Sequence, residues 1–132
     1  MRKDIATAFA QLEQRGQTRL KDLPQTMLEQ LPEDLFPDEN VLAVRLASAG
    51  GLHDGSRNVG VLALTDRRLV FWGLQGGGGF WYSALDAVEE GRPRSGSSSL
   101  RVSYHGRGYS FLFPRQSNAA GEYVAMISRL LV

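Results

Sequence analysis

Two apolar runs, Val59 to Thr65 and Arg68 to Leu74, meet at a tight Asp66-Arg67 turn, and this hairpin constrains the chain more than any other segment. Neither run alternates cleanly between apolar and polar residues, so each needs cover on both faces, as central strands of a sheet do. A chain containing such a hairpin must supply further strands beside it and packing layers above and below it.

The remaining strands follow from spacing. Val41 to Ala49 reads as one strand, and Gly50-Gly51-Leu52-His53-Asp54-Gly55-Ser56 as the loop after it. Beyond Leu74 the run Gln75-Gly76-Gly77-Gly78-Gly79 breaks the pattern. Glycine loses the most entropy on ordering and tolerates positive φ, so this run is expected to be a turn or flexible loop. With residues 75–78 as the turn, Leu74 pairs with Gly79 and Trp72 lies opposite Trp81. A slip of one residue sets Phe71 opposite Trp81 instead.

Phe80 to Ser83 reads as a strand. Leu85 to Glu90 is a short edge strand in which Leu85, Ala87 and Glu89 alternate with Asp86, Val88 and Glu90. A polar loop, Arg92 to Ser99, leads to a hairpin: Leu100, Val102 and Tyr104 alternate on one side of Gly106-Arg107-Gly108, and Tyr109, Phe111 and Phe113 on the other.

Helical spacing appears at both ends. Ile5, Phe9 and Leu12 form an amphipathic stripe that Gly16 can terminate, and Pro24 with Met27, Leu28 and Leu31 marks a second short helix stopped by Pro32. Leu35 and Phe36 are expected to tuck inward from the turn that follows. Near the C-terminus, Ser117 or Asn118 caps a helix whose Ala120, Tyr123, Ile127 and Leu130 must be buried against a sheet. The sum is a mainly β fold: a seven-stranded antiparallel sandwich or partly open barrel capped by a C-terminal helix, with an N-terminal helical extension. The expected organisation is residues 1–37 as the extension and 38–132 as the β domain.

A chain of 132 residues can bury a sufficient core, and with no cysteine it has no disulfide, thiol nucleophile or thiolate metal site. Asp4, Gln11, Glu13 and Gln14 interrupt the N-terminal apolar residues well before signal or membrane length, so the cytoplasm is the default location. Charge is unevenly placed. Residues 1–40 hold five bases and eight acids, a balance of −3; from Val41 onward ten arginines face six acids, a balance of +4 with no lysine. Two segments that attract each other explain this, as does a basic face kept for an anionic partner.

The stretch Gly60-Val61-Leu62-Ala63-Leu64-Thr65-Asp66-Arg67-Arg68-Leu69-Val70-Phe71, followed by an aromatic strand and Leu85-Asp86-Ala87-Val88, resembles the core signature of bacterial pleckstrin-homology-like (PH-like) domains. The resemblance covers roughly residues 38–132. It implies a Thr-Asp-Arg-Arg turn between two strands and a fifth strand opened by a hydrophobic residue three before a valine. Thr65 and Asp66 are suited to bond the turn backbone. PH-like folds serve phosphoinositide binding, peptide binding and self-assembly, so the fold does not fix a ligand. The lipid-binding pattern of two bases spaced by one after the first loop is broken here, because Val59 follows Arg57 where the second base belongs.

Catalytic signals are weak. The glycine run lacks the Lys-Ser/Thr of a phosphate loop and leads into a strand, not a helix. His53 and His105 have no neighbouring ligand residues at metal spacing, and Glu89 and Glu90 are strand neighbours facing opposite ways. The expectation is a non-enzyme without cofactor or metal. The candidate interaction surface is Trp72, Gly77, Gly78 and Trp81, a glycine-tipped aromatic hairpin. The candidate anion site gathers Arg57, Arg92, Arg94 and Arg107 from loops. These residues suit a module for protein contact or self-association, or alternatively one for peripheral attachment to an anionic membrane; nucleic acid fits poorly with a net charge of +1.

Overall fold

The computed structural model describes residues 3–14, 34–49, 58–74, 76–91, 98–113 and 118–131. Along the chain lie α1 (Lys3–Gln14), β1 (Val41–Ala49), β2 (Asn58–Thr65), β3 (Arg68–Gly73) and β4 (Gly76–Trp81). A 3-10 turn (Tyr82–Ala84) leads to β5 (Leu85–Gly91), β6 (Ser99–Tyr104), β7 (Arg107–Leu112) and α2 (Ala119–Leu130). The protein is mainly β, as its residue spacing predicts. Seven antiparallel strands form one open sheet in the order β4-β3-β2-β1-β7-β6-β5. The short helix expected over residues 24–31 lies outside the described residues.

The sheet curls until its two halves face each other. Phe71 of β3 meets Phe111 of β7 with ring centroids 5.3 Å apart, and Phe80 of β4 meets Tyr104 and Tyr109 at 5.4 and 4.9 Å. The inner core so enclosed contains Leu62, Leu64, Leu69, Leu100, Val102 and Phe113, and α2 closes it with Ala119, Ala120, Tyr123 and Ile127. The buried Tyr123 hydroxyl donates to the Leu62 carbonyl at 2.7 Å, so the helix is hydrogen-bonded to a central strand as well as packed on the sheet. Leu130, expected in the buried stripe, is instead exposed near the end of the helix. Asn118 occupies the capping position without a side-chain capping bond.

A second core lies on the outer face. Ile5, Ala8 and Phe9 of α1 pack with Leu35 against Val41, Val44, Val61, Ala63, Val70 and Trp72. Ile5 and Phe9 are each 1 % exposed, and burial on that scale contributes about 1.5–3 kcal/mol per side chain. This outer layer explains why β2 and β3 are apolar on both faces: one face belongs to α2's core and the other to α1's.

The glycine run departs from expectation. It is not the turn: Gly73 pairs with Gly76, Trp72 with Gly77, Phe71 with Gly78 and Arg68 with Trp81, so residues 76–79 are strand. Trp72 therefore does not lie opposite Trp81, and Phe71 does not either. Gly77 serves close approach, since a Cβ there would sit 1.8 Å from the Phe71 carbonyl oxygen. Phe80 and Trp81 end β4, while Tyr82 and Ser83 belong to the 3-10 turn. The simple alternation expected for Leu85 to Glu90 also fails. A register shift between Leu85 and Ala87 rephases β5, so Leu85 and Val88 both pack on the inner core while Ala87 and Glu89 are exposed.

Candidate functional site

The Thr65-Asp66-Arg67-Arg68 turn is bound on every residue by the chain arriving from the N-terminal side. The Thr65 hydroxyl accepts from the Arg67 and Arg68 amides at 3.1 and 3.0 Å and donates to Glu39 Oε2 at 2.7 Å. Asp66 accepts from the Asn40 amide and side chain, and its own amide donates to the Asn40 carbonyl. Arg67 pairs with Asp38, and Arg68 grips Glu39 through Nε and Nη2 while also donating to the Asp34 carbonyl. The Arg68 guanidinium lies 5.2 Å from the ring centroids of both Phe36 and Trp81. Acids before Val41 thus meet bases after it, and the charge asymmetry is spent in part within the fold.

Glu39 is fully buried. Burial alone pushes its carboxyl pKa up, but bonds from Arg68, Thr65 and the Phe36 amide outweigh that and hold it below its ordinary value. This turn is satisfied structure, its side chains bonded within the fold.

The free edge of β4 is different. β4 ends the sheet, and among the described residues no strand pairs with its outer side. The Tyr82 amide donates to the Arg67 carbonyl, which fixes the phase of the hairpin: Gly76, Gly78 and Phe80 turn their amides and carbonyls toward β3. Gly77, Gly79 and Trp81 consequently turn theirs outward. Gly76 to Gly79 are all exposed and carry no side chains to shield that row.

Beside this edge, on the inner face, lies a cavity of about 390 Å³. Phe71, Phe80, Tyr104, Tyr109 and Phe111 supply its aromatic lining, and Asn58 and Ser110 are its uncharged polar side chains. The cavity follows from the register. Phe80 bridges to β6 and β7 at one end of β4, whereas the glycines put no side chain into the same gap.

The predicted surface residues separate accordingly. Gly77 and Gly78 lie on the free edge. Trp72 is buried in the outer core, its indole N–H donating to Asp34 Oδ2 at 2.8 Å, and so takes no part in a contact surface. Trp81 is half-buried against Phe36 and Arg68. Of the predicted anion-site arginines, Arg57, Arg92 and Arg94 lie outside the described residues, as does His53. Arg107 is exposed at the start of β7 and carries no ion pair among the described residues. His105 sits in the β6–β7 turn with φ 51° and its ring against Tyr104. Among the described residues no three His, Asp or Glu side chains gather as metal ligands.

Sequence reasoning missed the cavity because it placed the glycines in a turn. The inward alternation of Tyr104, Tyr109 and Phe111 was the available signal. It also missed Arg45, which is 4 % exposed on β1, donates to the Val44 carbonyl and to Glu122, and has no partner for its Nε among the described residues.

Comparison with known proteins places the architecture alone. No family model matches the chain, and no curated protein does. Among solved structures it is similar to the C-terminal domain of an unknown protein from Leishmania infantum, with a TM-score of 0.60 and 18% sequence identity. The match covers 80% of this chain and 99% of that one. At this identity the likeness concerns the fold. No described helix is long and apolar enough to cross a membrane.

Proposed function

We propose that the chain is a noncatalytic, PH-like interaction module that binds an extended protein segment along the free edge of β4. The observation carrying this reading is the side-chain-free row of backbone groups at Gly77 and Gly79, which no strand among the described residues pairs with. A strand edge offers alternating donors and acceptors at the spacing of another extended backbone, which is how β-strand addition obtains its affinity. The glycines remove the steric screen that side chains on an edge provide.

Selection of random displayed peptides against the whole chain, followed by amide hydrogen exchange with the enriched peptides, tests the reading. Enriched peptides are expected to slow exchange at Gly77 and Gly79. Failure to enrich any peptide, or protection confined to another surface, overturns it.

A further inference from the structure

A strand added to β4 sets alternate side chains on opposite faces of the sheet. Those on the inner face pass over the aromatic cavity, whose lining among the described residues holds no charged side chain. On β4 itself the position paired with Phe71 is Gly78. A Cβ at Gly78 would meet no heavy atom within 4 Å, and its φ lies outside the left-handed region. Glycine is therefore not demanded there by backbone conformation or by close approach, in contrast to Gly77. What the missing side chain does at Gly78 is leave space.

We infer that Gly78 is the specificity-determining position of the β4 edge: by having no side chain it opens the cavity to one large uncharged side chain, aromatic or long aliphatic, carried by an extended peptide. This rests on the strand-addition reading and deepens it. The occupant is a polypeptide because the outward amides and carbonyls of Gly77 and Gly79 match another backbone, which an acyl chain does not offer. It is a segment other than this chain's own β4, since a second copy paired glycine to glycine places only hydrogen atoms over most of the cavity. The side chain is uncharged because, among the described residues, no lining side chain carries a charge to compensate a buried one. Its size follows from the volume: an apolar cavity of about 150 Å³ already accepts benzene, and this one is about 390 Å³.

The test uses two synthetic pentapeptides, acetyl-Ser-Val-Phe-Val-Ser-amide and its Phe→Ala analogue, titrated into the whole chain and into the Gly78→Leu variant with backbone amide shifts as the readout. Gly78→Leu fills the cavity from the β4 side, and an unchanged amide spectrum away from β4 verifies its fold. The phenylalanine peptide is expected to shift Gly77, Gly79, Phe71 and Phe111, and to bind at least tenfold more tightly than the alanine peptide. Gly78→Leu is expected to remove that difference. Equal binding of both peptides along β4, or a phenylalanine preference that survives Gly78→Leu, overturns the inference and leaves the edge reading standing. Absence of any shift along β4 overturns both, as does flotation of the chain with anionic vesicles that depends on Gly78 while neither peptide binds.

Discussion

Arg68 donates through Nε and Nη2 to the two carboxylate oxygens of Glu39, at 2.9 and 3.0 Å, inside a shell where Glu39 has no solvent exposure. Removing either partner leaves the other without its counter-charge. Glu39→Gln or Arg68→Met is expected to lower stability by about 2–4 kcal/mol, because a buried charge loses its counterpart. Arg68→Lys keeps the charge but gives up the paired fork and the stacking between Phe36 and Trp81, and is expected to cost about half as much. Urea midpoints of the three variants check the order.

The same pair sets the acid limit. Glu39 has a folded pKa held below its ordinary 4.5, so the stability it contributes is present above that value and lost as pH falls through the folded one. Asp38, lowered by its bond to Arg67, acts in the same direction. Urea midpoints measured from neutral pH downward are expected to hold to about pH 5 and then fall. The Glu39→Gln variant, already weakened, is expected to show a shallower fall.

Phe9 is the largest α1 side chain in the outer core, and Trp72 lies in the same cluster. Phe9→Ala is expected to cost about 3–5 kcal/mol. In a Trp81→Phe background, where Trp72 is the sole tryptophan, the substitution is also expected to raise acrylamide quenching. Unchanged quenching would show that α1 does not shield Trp72 in solution.

Arg45 illustrates the opposite balance. It is buried with one nitrogen unpartnered among the described residues, while Glu122 at its tip is 37% exposed. Arg45→Met is expected to change stability by less than about 1 kcal/mol in either direction, since it removes the desolvation cost together with the ion pair. Glu122→Gln leaves the buried charge in place and is expected to be the more damaging. Thermal unfolding of the two single variants decides it.

Legibility in the sequence followed the side chains. The paired runs of β2 and β3 and the alternation of Leu100, Val102 and Phe111 give strands whose faces the structure fills as expected. Register failed where side chains were missing: four glycines carry no pattern to choose between pairing Trp72 with Trp81 and pairing it with Gly77. Phase failed at Leu85 because a bulge shows only in the paired strand opposite. The cavity inherits both difficulties, being defined by what Gly78 lacks and by rings brought from β3, β6 and β7. Glu39 gave no sign of burial, because its partner Arg68 lies 29 residues ahead.

The two halves of the sheet are stitched together by a short seam, Ser48 with Leu112 and Ala49 with Phe111. Every other strand pairing among the described residues joins neighbours in the chain and so closes only a short loop. The seam instead closes a loop that contains β2 through β6, and the entropy of that closure must be met before the two pairs return anything. The tempo of folding is therefore expected to follow how soon β7 reaches the far end of β1, with substitutions at Ala49 and Phe111 acting on the rate of assembly as well as on the depth of the native well.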